Sequence, residues 1–162
     1  MKRTFTVAGS DRVTWAMCIA AYLVVADYFS PLCITGASLD EGYIERENVP
    51  GISREEELFI SIVSLLGMYA ALDPDAYQGI PVPVPEPLDD MIAELLQIRR
   101  MENDCEAVTV ERKRLIQMAS ETLKANHMLH LYLAAKLMMK PLHTEEIEQM
   151  KIQIDEEYGR VA

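Results

Sequence analysis

The chain lacks the short sequence patterns that mark most catalytic and cofactor-binding sites. Its 162 residues contain no Gly-rich phosphate loop, no dinucleotide fingerprint and no Gly-x-Ser-x-Gly nucleophile motif. Neither His-Glu-x-x-His nor the Glu-x-x-His pair of di-iron bundles occurs. We therefore expect a protein that is not an enzyme and that binds no cofactor.

Cysteine is scarce, and its spacing does not suit a metal site. The three cysteines, Cys18, Cys33 and Cys105, are far apart in the sequence, unlike the closely spaced ligand pairs of zinc sites. An odd cysteine count suits a reducing compartment better than a disulfide framework. The pattern predicts a cytoplasmic protein.

Long apolar runs are missing as well. The most apolar stretch, residues 15–26, is 12 residues long, whereas a helix needs about 20 apolar residues to span a bilayer. The stretch could form the apolar part of a signal peptide after Lys2 and Arg3. However, Asp11 and Asp27 flank it, and no small-residue cleavage site follows closely. We expect instead a central buried helix and no membrane contact.

Basic residues are outnumbered, and the net charge is −11. This balance argues against direct nucleic-acid binding, which needs a basic surface, and favours attraction to basic partners. Residues 40–57 contain seven acidic and two basic side chains. Residues 111–140 reverse the sign, with six basic and two acidic side chains, and include a basic island at Arg112, Lys113 and Arg114.

The longest helical pattern organises the prediction of the fold. Residues 110–139 contain neither glycine nor proline and predict one helix of roughly 45 Å. Its first half has an apolar stripe at helical spacing, which includes Leu115, Ala119 and Leu123. Its second half, residues 128–139, is apolar nearly all round, and we expect other elements or a partner chain to enclose it.

Shorter helical patterns surround this segment. They predict helices from residue 10 or 11 to 29, from a capping box at Ser53 and Glu56, from 88 to about 101, and after Thr144. The first two helices carry small residues at helical spacing, which predicts that they pack closely. These residues are Ala16, Ala20 and Ala21 on the first helix and Ser61, Ser64 and Gly67 on the second.

The connections complete the predicted architecture. Residues 1–9 are expected to be a frayed tail, in which the alternating residues 4–7 could form a short extended piece, and residues 32–52 a long connecting loop. Proline at every second position of 81–87 predicts an extended strut. No alternating run of strand length competes with the helical pattern. We therefore predict an all-α fold: a single domain over residues 1–162, with about five helices around the long one.

One weak metal candidate exists within the long helix. His127 and His130 are three residues apart and share a helix face, and His143 could approach them from beyond Pro141. Two histidines do not bind a metal tightly, so we expect none. The two residues then mark the edge between the exposed and buried halves of the helix. If the chain has a site, we expect it at this junction, residues 126–130.

These observations predict a non-catalytic protein-interaction module, such as an inhibitor, an immunity-type protein or an adaptor. Its partner would be another protein, basic or nucleic-acid-binding, whose phosphate-binding groove the acidic segments could occupy. The predicted partner-binding residues are charged and lie in the acidic segments and the basic island. They are Asp40, Glu41, Glu45, Glu47, Glu55, Arg112, Lys113, Arg114, Glu145 and Glu148.

Two alternatives belong to other functional classes. The first is a carrier or sensor that binds an apolar small molecule in a pocket lined by Met118, Met128, Met138 and Met139, since methionine adapts to irregular ligands. The second is a structural homo-oligomer in which residues 128–139 pair across a two-fold axis.

Overall fold

The computed structural model describes residues 2–4, 12–71 and 88–159. These residues form a mostly helical structure with one small four-stranded sheet. The helices are α1 (Arg12–Phe29), α2 (Arg54–Ala70), α3 (Leu88–Ile98), α4 (Cys105–Ala125), α5 (His127–Leu137) and α6 (Thr144–Ile154), followed by a π-helical turn (Asp155–Gly159). The strands are β1 (Lys2–Thr4), β2 (Ile34–Ser38), β3 (Tyr43–Arg46) and β4 (Leu142–His143).

Helix α1 lies at the centre of the described structure. Twelve of its 18 residues are buried, and it packs against α2, α4 and α5. The predicted central helix over residues 15–26 is thus confirmed. By length and composition α1 could also cross a membrane, but 67% of it is buried inside the protein, which is the ordinary environment of a core helix.

Helices α1 and α2 approach each other closely at Gly67. A Cβ atom built on Gly67 would lie 2.9 Å from Val25 Cγ2 and 3.4 Å from the carbonyl oxygen of Ala21. A side chain larger than hydrogen therefore requires the Val25 side chain or α1 itself to shift. The close packing predicted from the small residues of both helices is confirmed at this position.

The sheet corrects the all-α prediction. Its strands are antiparallel in the order β1-β3-β2-β4. The expected connecting loop 32–52 contains β2 and β3, and residues 2–4 of the expected tail form β1. Strands of two to five residues are too short to show a convincing alternation. β2 and β3 pair as a hairpin, whereas β1 and β4 reach the sheet from distant parts of the chain.

The predicted long helix is also corrected, because it is two helices. Helix α4 begins at Cys105, earlier than expected, and ends at Ala125; α5 begins at His127. The break is at Asn126, whose backbone has φ −120° and ψ 36°. Asn126 Nδ2 donates a hydrogen bond to the Thr122 carbonyl at 2.9 Å, a local bond that competes with regular helix geometry.

Local signals placed the other helix starts well. Ser53 Oγ accepts from Glu56 N at 3.1 Å, as the capping box predicts. Helix α6 begins where expected, but Thr144 is its first residue and not its N-cap. Thr144 Oγ1 instead donates to the Ile34 carbonyl at 2.6 Å, which ties α6 to β2.

Buried apolar side chains from all six helices and from β2, β3 and β4 form one cluster. Helix α5 and α6 pack side by side on the edge of this core. The predicted strut at 81–87, and residues 5–9 of the predicted tail, lie outside the described residues.

Candidate functional site

A pocket of about 220 Å³ lies at the junction of α1, α4, α5 and α6. The predicted position of a site, residues 126–130, forms one side of it. Apolar and aromatic residues form most of the wall, and four charged or amide side chains lie among them. The lining residues are Val24, Asp27, Tyr28, Pro31, Asn126, Leu129, Lys151, Ile154 and Asp155.

A buried ion pair stands at one side of the pocket. The Asp27 side chain is 5% exposed, and its Oδ2 accepts from Lys151 Nζ at 2.8 Å. Asp27 Oδ1 accepts from Leu32 N at 3.1 Å. Lys151 Nζ also contacts Glu148 Oε1 at 3.3 Å. Both charges are therefore held by partners within the protein.

The pKa of Lys151 reflects this pairing. Burial by itself lowers the pKa of a lysine, because it disfavours the charged form. Here the hydrogen bond and negative charge of Asp27, together with those of Glu148, outweigh burial and raise the Lys151 pKa above its ordinary value. Lys151 is thus a stable cation that two carboxylates share.

The rim of the pocket has different properties. The Tyr28 ring is 58% exposed and packs edge-to-face on Phe29 at 5.0 Å between centroids. Asp155 is exposed, and none of the ion pairs or side-chain hydrogen bonds among the described residues involves it. The rim therefore offers an exposed aromatic ring and a carboxylate that has no ion pair with any described residue.

A second feature is the outward side of α5, where exposed apolar residues follow the exposed His127 at the start of the helix. Leu131 is 38% exposed and Met139, just past the helix end, is 81% exposed. Ala135 between them is exposed too. These three residues, four apart on the helix, are called here the α5 outer face. Helix α5 contains no acidic residue, although the chain is strongly acidic.

Residues 128–139 were predicted to be enclosed on nearly all sides, but the structure encloses them only in part. Leu129, His130, Leu133, Ala134 and Leu137 are buried. Of the four methionines predicted to line a ligand pocket, none lines the pocket described above. Met118, Met128 and Met138 are half-buried, while Met139 is exposed.

The predicted acidic partner-binding residues fall into separate groups. Asp40, Glu41, Glu45 and Glu47 lie on or next to the β2–β3 hairpin. Asp40 pairs with Arg12 at 2.5 Å, and Glu45 accepts from Thr35 Oγ1 at 3.3 Å. Glu41 and Glu47 are exposed.

The remaining predicted acids lie on two helices. Glu55 on α2 pairs with Arg99 at 2.9 Å. Glu145 and Glu148 lie on α6, where Glu145 is exposed and Glu148 shares Lys151. The hairpin acids are thus together, whereas Glu55 belongs to a different surface.

The basic island is largely neutralised within the protein. Arg112 pairs with Asp89 at 2.6 Å, and Arg114 pairs with the buried carboxylate of Glu111. The hydrogen bonds that Arg114 donates to the Glu111 carboxylate raise the pKa of Arg114. Lys113 is exposed, and none of the ion pairs among the described residues includes it. The island therefore presents one available charge in place of three.

The histidines do not converge. His130 is buried, and its Nε2 donates to the Met17 carbonyl at 2.8 Å, which links α5 to α1. Burial lowers the His130 pKa, with a smaller contribution from His127, while the bond to Met17 opposes the shift. His127 is exposed on α5, and His143 lies on β4. Within the described ranges no three His, Cys, Asp or Glu side chains are grouped to hold a metal ion.

The cysteines separate by exposure. Burial raises the pKa of Cys18 to about 12 and that of Cys33 to about 11. Thiols with such values are almost entirely protonated at neutral pH and unreactive. Cys105, the first residue of α4, is exposed.

Sequence reasoning placed the junction at 126–130 but missed Asp27, Tyr28, Lys151 and Asp155. Asp27 looked like the end of an apolar run, and its partner is 124 residues away. The one local signal was a charged residue directly after the most apolar segment of the chain. No protein-family model matches the chain, and a search of curated proteins found no match.

Proposed function

We propose that this chain is a non-catalytic protein-interaction module that docks on a partner protein through the α5 outer face. The observation that carries the proposal is the exposure of Leu131 and Met139 on a helix whose opposite side is core. Full burial of one such side chain stabilises by about 1.5–3 kcal/mol. Leu131 is 38% exposed and Met139 is 81% exposed, so a partner that covers the face gains only the share of this energy that belongs to the exposed surface.

The neighbouring charges support a basic partner. Helix α6 packs against α5 and carries the acidic residues Glu145 and Glu148. A partner with an apolar patch flanked by basic residues complements this arrangement. We extend the proposal to an inhibitor or adaptor role in the cytoplasm, with the acidic segments in place of nucleic-acid phosphates.

The test compares charge substitutions at two exposed apolar positions. The double variant Leu131→Glu, Met139→Glu should lose the proteins that the wild-type chain retains from its own host. The matched control is Val110→Glu, which is equally apolar and exposed but lies on α4. If the wild type, the double variant and the control all retain the same proteins, the α5 outer face is not the docking surface.

A salt titration of the complex tests the charge mimic separately. Contacts between exposed charges weaken as ionic strength rises, because the Debye length shortens. We expect affinity to fall with salt. An affinity indifferent to salt would leave the docking proposal intact and exclude nucleic-acid mimicry.

A second copy of the chain is the other candidate partner, since α5 carries no acidic residue that would repel its copy. Sedimentation of the wild-type chain as a monomer at high micromolar concentration would exclude it. An apolar small-molecule carrier is favoured less. The pocket volume of about 220 Å³ is below the roughly 300–1,000 Å³ typical of small-molecule sites.

A further inference from the structure

We infer that the pocket between α1, the α4–α5 junction and α6 receives a single arginine side chain of the partner protein. This inference rests on the proposed function, because it names the residue by which the partner is anchored. It arises from three properties of the pocket: its size, its charge and the nature of its walls.

The size suits a single side chain. A pocket of about 220 Å³ is too small for a cofactor or a drug-sized ligand, which occupy roughly 300–1,000 Å³. Interfaces are commonly anchored by one long side chain, often arginine, inserted into a small pocket.

The charge favours a cation. Asp27 and Asp155 line the pocket, and Glu148 contacts its lysine. Among the described residues that line the pocket, Lys151 is the one basic side chain, and it is already shared by Asp27 and Glu148. An incoming guanidinium therefore meets an excess of negative charge on this described lining, and Asp155 has no ion pair with any described residue. An anion would have to compete with two carboxylates for Lys151.

The walls favour arginine in particular. Val24, Leu129 and Ile154 are apolar and suit the methylene stem of a long basic side chain. The exposed ring of Tyr28 stands at the rim. A planar guanidinium stacks on an aromatic ring and sheds water more readily than an ammonium group.

The test uses a capped amino acid as the probe. N-acetyl-arginine methylamide is titrated into the isotopically labelled full chain, and amide chemical shifts are followed by NMR. The neutral isostere N-acetyl-citrulline methylamide is titrated in parallel. We expect saturable shifts at Tyr28, Leu129 and Lys151 with the arginine probe only. Equal shifts with citrulline, or shifts centred elsewhere, would overturn the inference.

The matched variants are Asp155→Asn and Glu157→Gln, both on exposed positions of the π-helical turn. Only Asp155 lines the pocket. Loss of one exposed charge should weaken probe binding about two- to fivefold in Asp155→Asn and leave Glu157→Gln near wild type. Equal weakening in both variants, or in neither, would contradict a specific contact with Asp155.

The outcomes also separate this inference from the proposed function. The double variant Leu131→Glu, Met139→Glu should bind the arginine probe like the wild type, because neither residue lines the pocket. If the double variant loses partner binding but no chain binds the arginine probe, the pocket inference is wrong and the docking proposal stands. If the probe binds but the double variant still binds the partner like the wild type, the docking proposal is wrong instead.

Discussion

Helices α1 and α5 are both apolar on nearly every side, yet they are buried to different extents. Twelve of the 18 residues of α1 are buried, whereas five of the 11 residues of α5 are buried. Neighbouring helices cover α1 on several sides, while α5 packs on α1 and α6 and keeps one side in solvent. Apolar composition therefore sets how much surface a helix can bury, and position in the fold sets how much it does bury.

This difference in burial predicts that α1 supports the fold and that α5 is available for binding. A fully enclosed apolar helix supports the core. A partly enclosed one has apolar surface that a partner can cover. Substitutions in α1 and at the α1–α2 contact should therefore affect folding, whereas substitutions on the α5 outer face should affect association.

The largest expected effect is in the centre of α1. Leu23 is fully buried, so Leu23→Ala should destabilise by about 2–5 kcal/mol through lost transfer energy and a residual cavity. Leu131→Ala on α5 is the control. It should lower the free energy of unfolding by less than about 1 kcal/mol, because the Leu131 side chain is already partly exposed to solvent. Urea unfolding measures both. Equal costs for the two variants would contradict the contrast between the helices.

A smaller loss is expected at the closest approach of α1 and α2. In Gly67→Ala the added methyl group meets Val25 Cγ2 at 2.9 Å. Such overpacking costs about 1–3 kcal/mol, offset by up to about 1 kcal/mol from the better helix propensity of alanine. We expect a lower thermal midpoint. A rise in the midpoint would mean that α1 can slide away without loss.

The link between α5 and α1 should make stability depend on pH. The His130 pKa is lower in the folded state than its ordinary value of 6.5, so the unfolded state binds more protons just below that pH. The contribution of His130 to stability is therefore fully present above pH 6.5 and is lost as the pH falls through 6.5 toward the folded pKa.

The measurement is the urea midpoint at about pH 7.5 and about pH 5.5. His130→Gln keeps a donor for the Met17 carbonyl and should lose less stability on acidification than the wild type. His127→Gln changes an exposed ring and should behave like the wild type. If His130→Gln loses as much stability on acidification as the wild type, the pH dependence arises from groups other than His130.

The smallest effect concerns reactivity and leaves the fold unchanged. In the native protein a thiol reagent should modify Cys105 rapidly, and Cys18 and Cys33 only after unfolding, because burial raises the pKa of both thiols. Time-resolved thiol titration with and without urea measures this. Rapid modification of Cys18, which lies within α1, would show that the helix is less enclosed than described.

Sequence patterns predicted the helices with strong local signals. Helix α1 was recognised from its apolar run, α2 from the capping box at Ser53, and α3 from acidic residues in its first turn. Local patterns failed where local and tertiary effects compete. The sequence predicted an unbroken helix through Asn126 because the neighbouring residues are good helix formers. In the structure the helix breaks there, and the Asn126 side chain bonds to the Thr122 carbonyl.

The sheet and the candidate site could not be predicted in the same way. Residues 32–52 carry no persistent alternation, and β2 has a register irregularity between Ile34 and Gly36, which disrupts the period of two. In the pocket, Asp27 and Lys151 are 124 residues apart. A charge at such a distance in sequence gives no local sign of its partner.

The sequence by itself thus determined the helical class, the burial of α1, the close contact at Gly67 and the acidic character of the surface. Periodicity, caps and charge are properties of neighbouring residues, and their physical effects act over a few turns of helix. The tertiary structure decided the sheet, the exposure of the α5 outer face and the pocket with its ion pair. Each of these depends on which distant segments meet, and that is settled by packing of the whole core.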